Sequence, residues 1–372
     1  MSTPAQPLFD LTLTEEQALM RETVRRFAQA EMRALSRKAD EAGEAPPGFY
    51  AKSTELGFNM VEIAEELGGL GATRSPVSTM LIAEDLAYGD MSLAIGAMSS
   101  LSFIHSVLDY GSAAQRKALL PPFTQDGFRA ASVALMEPAL RFDPSKLGTT
   151  AQRNGDGYLL QGVKTMVPLA SSAEVMLVIA QEQGAGPAAF VVQKGQAGLT
   201  VEREQFMGCR PLELCKVTLQ NVQLPASAKL GEAETRFDLV LFLDLSRIGI
   251  AALSLGVCQA VLDYVKAYCN ERVAFGEPIT HRQAVAFLIA DIAIELDGMR
   301  LLTYRAAGRA ERGLEFHREA YLARVQCAEK GMKIGTDGVQ LLGGHGFIRE
   351  HLVELWYRNL RAISVLEGCV TV

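Results

Sequence analysis

The sequence has little of what staples or metallates a small protein. Its 372 residues include six cysteines (Cys209, Cys215, Cys258, Cys269, Cys327 and Cys369) and five histidines. No two cysteines form a CxxC pair, and the histidines are scattered. This argues against a zinc site and a disulfide framework, and it leads us to expect reduced thiols in a cytoplasm and no bound metal. There is no basic block, and 36 Lys+Arg against 43 Asp+Glu give a net charge of −7, so nucleic acid is not an expected partner. Long apolar runs are also missing. The longest, such as 248–258 and 175–180, fall far short of the roughly 20 residues of a spanning helix. Residues 1–10 lack both a basic n-region and an apolar h-region, so neither a secretory leader nor an Arg-rich transit peptide is expected.

What is present is ordinary globular material, 49% hydrophobic and 21% charged. The length predicts two or three domains at roughly 100–200 residues each. The first third reads as helix. Thr14-Glu15-Glu16-Gln17 has the form of a capping box. Met20, Val24, Phe27, Met32 and Leu35 follow at about helical spacing, and 80–88 and 92–110 read as buried helices. The middle reads as strands. Asn154-Gly155-Asp156-Gly157 predicts a hairpin turn, 175–180 and 189–192 predict buried strands, and Val217, Leu219 and Val222 are placed near a turn closed by Pro225. From Phe237 onward three long amphipathic segments, 245–272, 283–312 and 316–342, predict a helical bundle. The expected class is therefore α+β, with a helical domain over 1–127, a β domain over 128–232 and a helical bundle over 233–372.

Three segments carry chemistry-bearing residues. The first is Arg272-Val273-Ala274-Phe275-Gly276-Glu277-Pro278-Ile279 with Gln283 following. Alone, Arg272 is a cation suited to the negative pole of a helix dipole. The second is Gln340-Leu341-Leu342-Gly343-Gly344-His345-Gly346-Phe347. A Gly pair after a helix serves as a cap, or admits a phosphate close to the backbone. The third is Leu366-Glu367-Gly368, an acid closing a mostly apolar stretch. It reads either as a solvated terminal glutamate or as a carboxylate in an apolar pocket. In the second case its pKa rises and it becomes a base for a weak carbon acid.

Taken in order, these segments resemble the acyl-CoA dehydrogenase family. Glu65-Glu66-Leu67-Gly68-Gly69-Leu70-Gly71, the 154–164 hairpin, Met207-Gly208-x-Arg210, and Val222-x-Leu224-Pro225 before Leu230-Gly231 also match the family pattern. The resemblance runs from about Leu11 to the last residue. It implies a helical N-terminal domain, a β-barrel-like middle domain and a C-terminal four-helix bundle. It also implies a homotetramer or dimer, with FAD between the middle and C-terminal domains and reaching a neighbouring subunit. Carried over by position, Arg272, Phe275, Gln283, Gln340, Gly343 and Gly344 contact the partner's FAD, and Arg272 suits its pyrophosphate. Glu367 matches the catalytic base and Arg247 a supporting arginine. Asp244 and Gly368 fall near the substrate, and 92–98 falls at the acyl pocket wall. Some branches of the family place the base in the stretch that here reads Asp244-Leu245-Ser246-Arg247; Ser246 stands at that position, which leaves Glu367.

The implied reaction is α,β-dehydrogenation of an acyl-CoA to trans-2-enoyl-CoA, within fatty acid metabolism. Glu367 takes the α-proton, the β-hydride goes to flavin N5, and an electron-transfer flavoprotein accepts the electrons. The sequence departs from the family in the middle domain. The family's Thr-Glu-Pro-Gly-x-Gly-Ser-Asp is here Met136-Glu137-Pro138-Ala139-Leu140-Arg141-Phe142-Asp143. Its Lys-x-Trp-Ile-Thr-Asn is here Lys164-Thr165-Met166-Val167-Pro168-Leu169. Met136 and Met166 thus stand where hydroxyl and indole contacts to FAD are expected. Cys369 replaces a family Thr. The alternative expectation is a non-catalytic or half-site subunit of a hetero-oligomeric dehydrogenase.

Overall fold

A computed structural model describes residues 12–231 and 235–372. Residues 1–11, on which the expectation of no leader rests, and the domain boundary expected at 232/233 lie outside the described residues. The chain runs from helices to a sheet and back to helices.

Local chemistry sets the helix starts. Helix α1 (Glu15–Phe27) begins with the Thr14–Gln17 capping box, in which each side chain accepts the other residue's backbone N–H. A π-turn (Ala28–Met32) leads into α2 (Arg33–Ala42), and a short α3 (Phe49–Thr54) follows. Helix α4 (Pro76–Gly89) and α5 (Met91–Tyr110) are almost wholly buried. Asp90 caps α5 by accepting the N–H groups of Ser92 and Leu93 at 2.9 and 3.0 Å. Helix α6 (Ala113–Leu119) closes the helical part.

The sheet comprises β1 (Ala131–Ala134), β2 (Thr150–Asn154), β3 (Gly157–Val167), β4 (Val175–Glu182), β5 (Gly186–Gln193), β6 (Leu199–Arg203) and β7 (Cys215–Pro225). The order is β1-β4-β2-β3-β7-β6, with β5 antiparallel to β4. The expected hairpin is present, with Asn154 paired to Gly157. The segment expected near a turn is instead one long strand. β7 carries Val217, Leu219 and Val222 inward, and only a local irregularity at Asn221 (φ 53°) interrupts it.

Four helices form the last part: α7 (Leu239–Glu271), α8 (Gln283–Glu311), α9 (His317–Leu341) and α10 (Val353–Ile363). A small hairpin of β8 (Val273–Ala274) and β9 (Glu277–Pro278) joins α7 to α8. One core cluster spans α1, α4, α5 and this bundle, a second sits where α5 meets β1, β4 and the start of α7, and a third lies inside the sheet. Helix α4 lies directly on α7 at Gly256, where a Cβ would stand 2.1 Å from the Glu84 carbonyl oxygen. Ion pairs between the N-terminal helices and the bundle fix the same contact: Arg300 to Glu84 at 3.2 Å, and Arg358 to Asp40 at 2.7 Å.

The run-based expectation about membranes needs correction. Both α5 and α7 are long and apolar enough to cross a bilayer by length and composition. Isolated Ser, Asp and Arg residues break their apolar runs without ending the helices. Their most apolar windows are 94% and 83% buried inside the protein, as in core helices.

Candidate active site

After α10 the chain turns at Ser364 and passes between α7, α9 and the end of β1. Glu367 lies on this passage. Burial pushes its carboxyl above the ordinary carboxylate range, and Arg324 and Arg247 pull in the opposite direction. Arg324, from α9, reaches Oε1 at 3.4 Å and donates to the Leu366 carbonyl at 2.9 Å. The other oxygen, Oε2, is buried and has no hydrogen-bond partner among the described residues. An unpartnered buried carboxylate oxygen is costly in a purely structural role and is free to receive a proton.

The backbone around Glu367 is equally specific. Gly368 has φ 74°, and a Cβ there would meet Leu135 Cδ2 at 2.8 Å. The Gly368 N–H donates to Ser246 Oγ at 3.0 Å. The Glu367 N–H faces the sulfur of Met136 at 3.3 Å. A thioether is a weak acceptor, so a stronger one displaces it readily. Met136, expected at a cofactor contact, thus lies directly against the candidate base.

One turn of α7 completes the corner. Arg247 donates to Asp244 Oδ1 at 2.9 Å, and His317 Nδ1 lies 2.7 Å from Asp244 Oδ2. The Arg247 guanidinium stands 5.7 Å from the Tyr321 ring centre. The structure therefore brings Glu367, Gly368, Arg247, Asp244 and Met136 together. It adds Arg324, His317 and Tyr321, which the sequence reading did not single out. The available signal was Arg324 itself, a lone cation inside Leu322-Ala323-Arg324-Val325. Ser246 was read only as the absence of an alternative base, and its hydroxyl proves to be the acceptor for Gly368.

Met166 has φ 53°, and its N–H donates to Glu204 Oε2 at 2.9 Å. With Leu214, Val365 and Leu366 it lines a small apolar cavity of about 110 Å³ between the sheet and the bundle. Ligand sites for cofactor-sized molecules are usually about 300 Å³ or more, so this face of one protomer supplies only part of such a site.

The remaining six expected cofactor residues lie elsewhere. Arg272 caps the C-terminal end of α7, and Phe275 (φ 56°) is 95% exposed on the hairpin that follows. Gln283 opens α8, Gln340 is near the end of α9, and Gly343 and Gly344 follow it. Tyr268 Oη lies 2.9 Å from His345 Nδ1, which draws these segments to one end of the bundle. A Cβ on Gly343 or Gly344 would meet no heavy atom within 4 Å, and the Arg272 guanidinium has no side-chain partner among the described residues. Open glycine backbone and a free guanidinium fit a pyrophosphate. Along α7, Arg272 is roughly 25 residues from Arg247, or about 37 Å at 1.5 Å per residue. One cofactor molecule does not bridge that distance within a single protomer.

The comparisons follow this geometry. The N-terminal, middle and C-terminal domain models of acyl-CoA dehydrogenase match residues 14–126, 132–222 and 239–372. The short-chain specific acyl-CoA dehydrogenase of Rattus norvegicus mitochondria is 32% identical over 96% of this chain and 87% of its own length. A 3-(aryl)acrylate reductase of Clostridium sporogenes is 30% identical over 95% of each chain. The structure of butyryl-CoA dehydrogenase from Megasphaera elsdenii superposes with TM-score 0.88 at 27% identity, covering 97% of this chain and 96% of that one. The helical, sheet and bundle layers agree with the α+β architecture expected from the sequence, the middle domain being a curled sheet. By its matched domains and by relatives spanning nearly its full length, the chain belongs to the acyl-CoA dehydrogenase family of flavin-dependent oxidoreductases.

Proposed function

We propose that this protein dehydrogenates an acyl-CoA thioester at its α,β-carbons with Glu367 as the α-proton base. The observation that carries the reading is the Glu367 carboxylate itself, partly buried, raised in pKa and with Oε2 buried and unpartnered. A raised pKa brings the base closer to the acidity of a thioester α-proton. Arg324 and Arg247 oppose that rise. The Glu367 N–H, now on a thioether, is the donor available to a thioester carbonyl, where negative charge develops as the α-proton leaves. Ser246 holds the Gly368 N–H and Arg324 holds the Leu366 carbonyl, so this donor is fixed in direction. Asp244 and His317 hold Arg247 beside the base.

FAD is the cofactor of this reading, and when bound it accepts the β-hydride. Arg272, Gln283, Gln340, Gly343 and Gly344 would hold its phosphate-bearing half from a partner protomer, and Met166 would wall its ring. The separation along α7 and the open backbone at Gly343 support a homo-oligomer, a dimer or tetramer, with shared sites. An electron-transfer flavoprotein is the expected acceptor. The six unpaired, buried cysteines suit a reducing cytoplasm.

A second reading, a half-site subunit of a hetero-oligomer, is favoured by one observation. Met136 and Met166 offer only thioethers, weak acceptors without a donor, where the family pattern has Thr and Trp. One experiment separates the two. Purified protein is loaded with FAD, and acyl-CoA is added without oxygen. Bleaching of the flavin band with formation of enoyl-CoA supports the dehydrogenase. Protein that retains flavin only with a second chain supports the half-site subunit.

A further inference from the structure

The four residues that follow Gly368 are core residues. Cys369, Val370, Thr371 and Val372 are 4%, 0%, 2% and 0% exposed. They lie between α5 and α7, starting from Glu367. Ser102, on α5, holds this segment at two points. Its hydroxyl donates to the Cys369 carbonyl at 3.2 Å and accepts the Thr371 N–H at 3.0 Å. His105, one turn further along α5, meets Thr371 Oγ1 through Nδ1 at 3.2 Å and Glu62 through Nε2 at 3.1 Å. Arg74 pairs with Glu62 at 2.9 Å and donates to the Val372 main-chain oxygen at 2.6 Å. On the other side α7 presents Gly249, where a Cβ would stand 2.7 Å from the Val370 carbonyl oxygen. Two further α7 residues, Ser246 and Arg247, stand beside Glu367 on the same side.

We propose that Cys369–Val372 is a fixed internal stop that limits the acyl chain of the substrate to a short one. The inference rests on the reading of Glu367 as the α-proton base. With a substrate α-carbon at Glu367, the groove between α5 and α7 is the apolar space next along the buried chain. Val370 and Val372 fill it with this protein's own methyl groups. The segment is a stop and not a loose flap, because its main chain is tied by Ser102 at one end and Arg74 at the other. A long acyl chain has to expel buried valines and break these hydrogen bonds, and a short one does not.

The test compares butyryl-CoA with octanoyl-CoA on the FAD-loaded protein. Dissociation constants come from calorimetry and turnover from anaerobic flavin bleaching. A methylene that does not fit costs about tenfold or more, so the native protein is expected to bind butyryl-CoA at least tenfold more tightly. Val370→Ala/Val372→Ala should open the groove and bring the two constants to within about threefold. Ser102→Ala, which loosens the segment without changing its volume, should move the ratio the same way and serves if the double variant misfolds. Equal binding of both thioesters by the native protein overturns the stop. So does a ratio that stays put in a folded variant. Chain-length discrimination that follows the variants without any bleaching supports the stop and overturns the dehydrogenase reading. Failure to bind either thioester overturns both.

Discussion

Two regions facing the same interdomain space are built on opposite terms. The corner around Glu367 presents charge: a carboxylate, two arginines, an aspartate and a histidine, paired with one another except at Glu367 Oε2 and Arg324 Nε. The middle-domain loop instead holds one clasped ion pair behind its face. Lys164, fully buried, donates to Glu137 at 2.8 Å and to the Leu135 carbonyl at 2.9 Å. Glu137 also accepts the N–H groups of Gly148 and Thr149 at 2.6 and 2.8 Å, closing the base of the loop. Met136 itself is buried, Leu140 is wholly exposed, and Arg141, Asp143 and Lys146 reach solvent. On the proposed reading, the difference teaches that the proton chemistry belongs to Glu367 and the bundle arginines beside it. The middle domain keeps the frame of its loop, with Met136 and Met166 where the family pattern has Thr and Trp.

The comparison breaks first at Glu367. Glu367→Gln should slow the reductive half-reaction about 10³-fold while the protein keeps its flavin, as read by stopped-flow bleaching. Next comes the frame of the loop. Lys164→Met strands a partly buried carboxylate and should cost about 3 kcal/mol in urea unfolding. The pH dependence of this clasp has a definite sign. Burial pushes Lys164 down to about 8 from an ordinary 10.5, so the unfolded chain binds the extra proton between those values. The lysine's contribution to stability therefore improves as pH rises from about 8, and Lys164→Met should abolish that rise.

Smaller effects sharpen the contrast between grip and chemistry. Arg272→Ala removes an exposed guanidinium with no side-chain partner among the described residues. It should leave stability unchanged and weaken FAD binding about 30-fold, as a lost charge-assisted hydrogen bond does. Equilibrium dialysis with FAD checks it. The smallest is Ser246→Ala, which orphans the Gly368 N–H and should cost about 1 kcal/mol in thermal unfolding.

Much of this was legible in the residues. The Thr14 capping box, the Asn154–Gly157 hairpin and the bundle helices follow from local rules that tertiary contacts did not override. β7 was misread because Asn221, a turn-forming residue, takes φ 53° within a strand. The length of α5 and α7 was hidden by single polar residues that the core satisfies. At the site, Glu367 and Arg247 were found through the family pattern. Arg324 and His317 come from α9, far from Glu367 in the chain, and no local signal pairs them with it. The burial of Cys369–Val372 was equally invisible, since only the facing helices with Ser102, His105 and Gly249 make that segment a core element.

The central claim is that the raised Glu367 carboxylate takes the substrate's α-proton. Its most direct test is the pH profile of single-turnover flavin bleaching by an acyl-CoA, in the native protein and in Glu367→Gln. The account predicts a rate that rises with pH through an apparent pKa above the ordinary 4.5, and a slow, pH-independent rate in the variant. A variant that bleaches as fast as the native protein, with the same profile, would contradict it.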